Sequence, residues 1–103
     1  MSGGLSVCVI ACDEERELAR CLDALAAGFE EVDEIVVVVD AKSTDRTEEI
    51  ARARATRVEV RPYEGDIEQK RYCTSLATRD WILIVDPDEV GTVELALATV
   101  VLA

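Results

Sequence analysis

The chain has 103 residues, 50% of them hydrophobic, which is enough for one domain with a substantial core and too few for two. Asp and Glu outnumber Lys and Arg by 22 to 11, a formal net charge of -11 that repels nucleic-acid phosphates and anionic lipid. No nucleic-acid partner is therefore expected, and a nucleotide ligand would need a metal cation or a local basic cluster to offset the field.

No apolar stretch reaches the length of a membrane span, and Met1 to Gly4 lacks the basic-then-apolar pattern of a secretory signal, so a cytoplasmic location is expected. Cys8, Cys12, Cys21 and Cys73 form no Cys-x-x-Cys pair, and histidine is absent, which removes a mixed zinc site. Reduced core thiols are expected instead.

Leu5 to Ala11 is an unbroken, partly β-branched run, the pattern of a strand covered on both faces. Asp13 stands where it can cap a helix carrying Glu14 and Glu15 in its first turn, with Leu18, Cys21, Leu22 and Leu25 at helical spacing and Gly28 at its end. Glu34 to Val39 is the strongest strand signal and runs straight into Asp40. Asp45 and Glu48 have capping-box spacing before a helix reaching about Arg54, with Ile50 and Ala51 facing the sheet.

Thr56 to Val60 alternates, as a strand near an edge does. Asp66 and Gln69 repeat the capping-box spacing ahead of a helix with Cys73, Leu76 and Ala77 on one face. Trp81 to Val85 is a buried strand tipped by Asp86, Pro87, Asp88 and Glu89. Thr92 to Leu102 is apolar on nearly all sides, suiting a helix that is buried or packs on a partner, or a strand. The order β-α-β-α-β-α-β, then a C-terminal helix or strand, predicts an α/β, Rossmann-like, mostly parallel sheet with right-handed crossovers.

Asp86-Pro87-Asp88 is the first chemical candidate. In extended backbone, residues two apart share a side, so both carboxylates reach one point beyond the strand, and hard cations such as Mg²⁺ take oxygen ligands of this kind together with substrate phosphates. The bland alternative is an acidic turn capping the next helix. An EF-hand loop is ruled out, because Leu97 occupies its bidentate acid position. Asp40 is the second candidate, either reading a nucleotide's base or ribose or merely capping the following turn. Gln69-Lys70-Arg71 is the third, bringing positive charge toward a diphosphate or forming a solvated helix face. Neither Gly-x-Gly-x-x-Gly nor a P-loop occurs.

In order, Leu5-Ser6-Val7, Asp13-Glu14-Glu15-Arg16 with Leu18 to Leu22, Asp33 to Asp40 with Ser43 to Thr47, Gln69-Lys70-Arg71, and Asp80-Trp81-Ile82-Leu83 with Asp86-Pro87-Asp88-Glu89 resemble the family 2 glycosyltransferases. The likeness is nearest to the lipopolysaccharide-core glucosyltransferase-like branch. It implies a GT-A fold that binds a nucleotide-diphosphate sugar, with Asp40 recognising the base and Ala11 and Asp13 near it. Lys42, Lys70 and Asp86 would complete the nucleotide site, and Asp86 with Asp88 would hold Mg²⁺ or Mn²⁺. The chain departs from the family at Asp13 and Arg71, where Asn is usual, and at Lys42, where Gly is usual.

Family members continue well past Asp-x-Asp, into the acceptor site and the general base. The expectation is therefore a single nucleotide-sugar-binding domain over 1–103, truncated after that motif, weak or inactive in transfer alone, with no general base of its own. Two other readings stand beside it. One is a non-catalytic structural module that kept the fold and forms a homodimer through its apolar C-terminal segment. The other is an aspartyl-phosphate phosphatase, whose Asp-x-Asp normally follows the first strand rather than the fourth.

Overall fold

The computed structural model describes residues 4–28, 31–88 and 101–102, and side chains within these except at 27–28 and 101–102. The elements are β1 (Leu5–Ala11), α1 (Glu15–Gly28), β2 (Val32–Asp40), α2 (Thr47–Arg54), β3 (Arg57–Arg61), α3 (Asp66–Leu76), β4 (Trp81–Ile84) and β5 (Val101–Leu102). They form one sheet in the order β3-β2-β1-β4-β5. The first four strands are parallel, and β5 pairs antiparallel to β4 through Trp81 opposite Leu102. The α/β, mostly parallel expectation is met, and at residues 101–102 the C-terminal segment is strand. The rest of that apolar segment, and Glu89, lie outside the described residues.

The topology follows from crossover handedness. The chain steps outward from β1 to β2 to β3, then returns past β1 to β4. Right-handed connections in opposite directions must cross opposite faces of the sheet, so α1 and α2 share one face and α3 takes the other.

Alternate residues of each strand accordingly feed two cores. On the α1/α2 face, Val7, Val9, Val37, Val39 and Leu83 pack with Leu18, Leu22, Leu25 and Ala51. On the α3 face, Cys8, Val36, Val38 and Ile82 pack with Cys73, flanked by Leu76 and Ala77. That is why β1 and β2 read as unbroken apolar runs. Burial of each such leucine contributes about 1.5–3 kcal/mol. The fourth strand is less enclosed than its composition suggests, since Trp81 and Ile84 are about 40% exposed.

The capping expectations are corrected, two of them wholly and one in part. Asp13 does not cap α1; its Oδ1 accepts from the Thr44 and Asp45 N–H groups of the neighbouring loop. Asp45 does cap α2, taking the Thr47 N–H at 2.9 Å, but Glu48 pairs with Arg52 instead of closing a box. Asp66 lies inside α3 behind Gly65, whose φ of 108° suits glycine, and Gln69 is buried beneath the helix. Asp13 is taken by a tertiary partner, whereas Glu48 is taken by Arg52 one turn along its own helix and Asp66 by the Tyr63 hydroxyl. The thiols also divide: Cys8, Cys21 and Cys73 are buried as expected, whereas Cys12 is exposed. The Cys73 thiol is pushed up by its contact with the Cys8 side chain, together with burial.

At the N-terminal edge of the sheet, Glu34 fastens three elements. The register slips between Leu5 and Ser6, setting Glu34 opposite Ser6, and its carboxylate accepts from Ser6 Oγ at 2.6 Å, Thr78 N at 2.8 Å and Thr78 Oγ1 at 2.9 Å. Burial pushes this carboxyl up, but those hydrogen bonds and the charge of Arg79 outweigh it and hold it below the ordinary range. A carboxyl whose pKa is depressed by folding stabilises above its unfolded value and loses that contribution as pH falls through the folded one. Wild-type stability is thus expected to decline below about pH 4.3. In urea titrations Glu34→Ala should cost about 2–4 kcal/mol at pH 7 and show a shallower acid decline; an unchanged midpoint would contradict this role.

Candidate functional site at the carboxyl edge of the sheet

Because the connections reverse direction at β1, the crevice beyond the ends of β1 and β4 is the switch point where open α/β sheets hold ligands. Val85 N donates to Cys8 O at 3.0 Å, extending the β1–β4 ladder until Asp86 leaves it. Asp86 is half-buried, Pro87 buried and Asp88 exposed. Lys70, on α3, reaches Asp86 Oδ1 with its Nζ at 3.6 Å.

Glu14 joins this group from the β1–α1 loop. Burial pushes its carboxyl up; the Cys12 N–H at 3.2 Å opposes the shift, and the charges of Asp88, Glu17 and Asp86 reinforce it. Three acidic groups from two loops therefore sense one another at this edge, a field that favours a cation.

A cavity of about 290 Å³ opens beside them, walled by Ile10, Ala11, Cys12 and Glu14 from β1 and its loop, Asp40 from β2, and Tyr63, Asp66 and Gln69 from β3–α3. Asp40 is 7% exposed, and its Oδ1 accepts the Lys42 N–H at 2.9 Å.

The two loops framing the cavity are stitched to each other. Asp13 N donates to Ser43 Oγ, Glu14 N to Thr47 Oγ1 and Glu15 N to Asp45 Oδ2, while Asp13 Oδ1 accepts from the second loop in return. The first N–H groups of α1 are thus satisfied by α2's loop rather than by its own side chains. Asp13 adopts φ 50°, a left-handed conformation that Asp and Asn tolerate better than most residues. Burial pushes the Asp45 carboxyl up, but its bonds from Thr47 and Glu15 prevail and lower it.

Of the sequence-predicted site residues, Ala11 and Asp40 line the cavity, and Asp86, Asp88 and Lys70 cluster at the adjoining strand end. Asp13 lies one loop away, engaged with backbone, and Lys42 contributes a backbone N–H to Asp40 while its side chain is exposed. The basic triplet splits: Gln69 is buried, Lys70 meets Asp86, and Arg71 pairs with Glu68 in solvent. Glu14 and Tyr63 were missed, and Gln69 was singled out only as a member of the triplet with Lys70 and Arg71. Only Gln69 left a usable signal, its i,i+4 spacing from buried Cys73.

No three Asp, Glu or Cys side chains among the described residues are grouped to hold a metal ion by themselves. Two carboxylates over an acid-biased crevice instead fit a divalent ion that completes its shell with phosphate oxygens and water.

This architecture, a parallel sheet with acid-tipped strands around a cavity at the switch point, defines a Rossmann-like α/β class of protein. The family model for glycosyl transferase family 2 matches residues 6–101, and the chain belongs to that family. It is 34% identical over 91 residues to an uncharacterised glycosyltransferase of Rickettsia typhi and 38% identical over 91 residues to one of Rickettsia felis. These matches take in 88% of this chain but only 30% and 31% of the relatives' length.

Among solved structures it is similar to Staphylococcus aureus TarS 1–349 (TM-score 0.66, 28% identity, 93% of this chain and 32% of that one). It also shares its fold with glucosyl-3-phosphoglycerate synthase from Mycobacterium tuberculosis in complex with Mn²⁺, UDP and glucosyl-3-phosphoglycerate (TM-score 0.66, 24% identity, 82% and 33%). These findings favour the glycosyltransferase-like reading over both the phosphatase and the non-catalytic module.

The stitched loops make a direct prediction. Asp13→Asn keeps an acceptor and tolerates the left-handed backbone, so it should change unfolding free energy by less than about 1 kcal/mol, whereas Asp45→Ala, which removes caps from two helices, should cost about 1–3 kcal/mol. Equal effects of the two substitutions in denaturant titrations would contradict the arrangement.

Proposed function

We propose that this chain supplies the donor-binding part of a glycosyltransferase, holding a nucleotide-diphosphate sugar with a divalent cation, Mg²⁺ or Mn²⁺, in the cytoplasm. The observation that carries the reading is the acidic group of Glu14, Asp86 and Asp88 at the switch point, beside a cavity lined by Asp40. The M. tuberculosis synthase, which shares the fold, has been crystallised with UDP and either Mn²⁺ or Mg²⁺.

In this reading the base enters the cavity against Ala11 and meets the Asp40 carboxylate, which accepts an N–H from it. Lys70 places an ammonium where the diphosphate passes, and its present partner, Asp86, becomes available as the phosphates take over that charge. Asp86 and Asp88 would hold the divalent ion, with Pro87 fixing the backbone between them. When bound, that ion would supply Lewis-acid stabilisation of the departing nucleoside diphosphate as an acceptor hydroxyl attacks the anomeric carbon. Asp13 and Lys42 act through backbone bonds, keeping the loop beyond Asp40 in place. No described residue is assigned as the base that deprotonates the acceptor.

Calorimetry with UDP-, GDP- and TDP-sugars in the presence of Mn²⁺ tests the proposal. At least one should bind in a metal-dependent way, and Asp88→Ala should weaken that binding about 10-fold or more. Absence of metal-dependent binding throughout the panel would sink it. Self-association through residues 93–102 is a separate proposal resting on their apolar composition. Light scattering should show a dimer, and a monodisperse monomer would contradict it.

A further inference from the structure

We infer that Gln69 is a base-reading residue: its Oε1 accepts a hydrogen bond from an N–H on the edge of the donor nucleotide's base, while the Tyr63 ring covers the base's face. The inference rests on the donor-binding reading above and names the group that fills the cavity.

Gln69 is 1% exposed and lines the cavity, yet its Oε1 is buried with no hydrogen-bond partner among the described residues. A buried polar atom left unpaired is unfavourable, and native structures rarely retain one without a purpose. The amide cannot simply turn over. Its Nε2 donates to Arg61 O, at 3.5 Å, and that carbonyl also receives Ala41 N. Reversing the amide would press one acceptor against another, so the oxygen is the atom left for whatever occupies the cavity.

The remaining lining decides what that occupant is. Ile10 and Ala11 offer apolar wall, and the Asp40 carboxylate is a second acceptor. Tyr63 is 45% exposed, but its hydroxyl is tied to Asp66 Oδ1 at 2.6 Å, which fixes the ring at the mouth. A diphosphate would bring its oxygens against carboxylate and amide oxygens. A hexose, hydroxylated all round, would waste the apolar walls. A flat heterocycle with apolar faces and N–H groups on its edge satisfies every part of this lining. The base therefore lies in the cavity, and the diphosphate points out toward Lys70 and Asp86.

Calorimetry on the full chain with Mg²⁺ and UDP, GDP, CDP or ADP, with inorganic pyrophosphate as the probe lacking a base, tests this directly. Gln69→Leu should weaken the tightest nucleoside diphosphate about 10-fold or more while leaving pyrophosphate binding unchanged. The melting temperature of the ligand-free protein should stay level or rise, because an unpaired buried acceptor has been removed. Gln69→Met, closer in length, should behave alike. Wild-type-like binding by both variants would overturn the role of Gln69 alone. Parallel losses of nucleoside diphosphate, pyrophosphate and melting temperature would show a merely structural residue and overturn it too. If the wild-type chain binds no nucleoside diphosphate, the donor-binding reading falls and takes this inference with it.

Discussion

The structure depends on β1 being paired in parallel on both sides. Its neighbours β2 and β4 are reached by crossovers running in opposite directions, so β1 is where the chain's path divides and where a crevice opens beyond the strand ends. Everything with chemical character is delivered to that gap: Asp40 from β2, Asp86 and Asp88 from β4, and Glu14 from the turn after β1 itself. The core exists on both faces because the successive residues Val7 to Ala11 and Ile35 to Val39 of the central strands are apolar, whereas Asp40 stands at a strand end and Glu34, buried within β2, is held by Ser6 and Thr78.

A cluster of like charges at a sheet edge tends to push its loops apart. Here the loops are fastened by hydrogen bonds between residues 13–15 and 43–47, in which backbone N–H groups donate to the Ser43 and Thr47 hydroxyls and to the Asp13 and Asp45 carboxylates. The carboxylates of Asp86 and Asp88 take no part in these bonds, and Lys70 lies within ion-pair distance of Asp86. Fastened loops around an acidic crevice suit a ligand whose own negative charge arrives with a cation, which offsets the field of so acidic a chain.

Much of this was legible in the residues. The bounds of β1 were read correctly because a β-branched, uninterrupted run admits few alternatives, and β2 needed only extension to Val32 and Asp40. The paired acids at the strand tips were visible as chemistry before the fold was known. The capping residues were misread for a physical reason: Asp13, Asp45 and Asp66 have side chains that bond whichever N–H or hydroxyl is nearest, which is the neighbouring loop for Asp13, both α1 and α2 for Asp45, and the Tyr63 hydroxyl for Asp66. Gln69 was grouped with two cations by adjacency, although adjacent helix positions face different ways and its i+4 partner Cys73 marked it as inward. Nothing in the string Asp13-Glu14-Glu15 indicated which acid would turn toward the crevice.

The central claim is that the Asp86-Pro87-Asp88 turn and the cavity lined by Asp40 act as one site, linked by a cation and a nucleoside diphosphate. Paramagnetic broadening in ¹⁵N-labelled protein, on adding sub-stoichiometric Mn²⁺ with and without UDP or GDP, tests it most directly. Broadening centred on residues 12–14 and 86–88 that sharpens in extent when the nucleotide is added, with concurrent shifts at 40–42 and 63–69, is the predicted result. Broadening spread over the acidic surface and indifferent to nucleotide would contradict it.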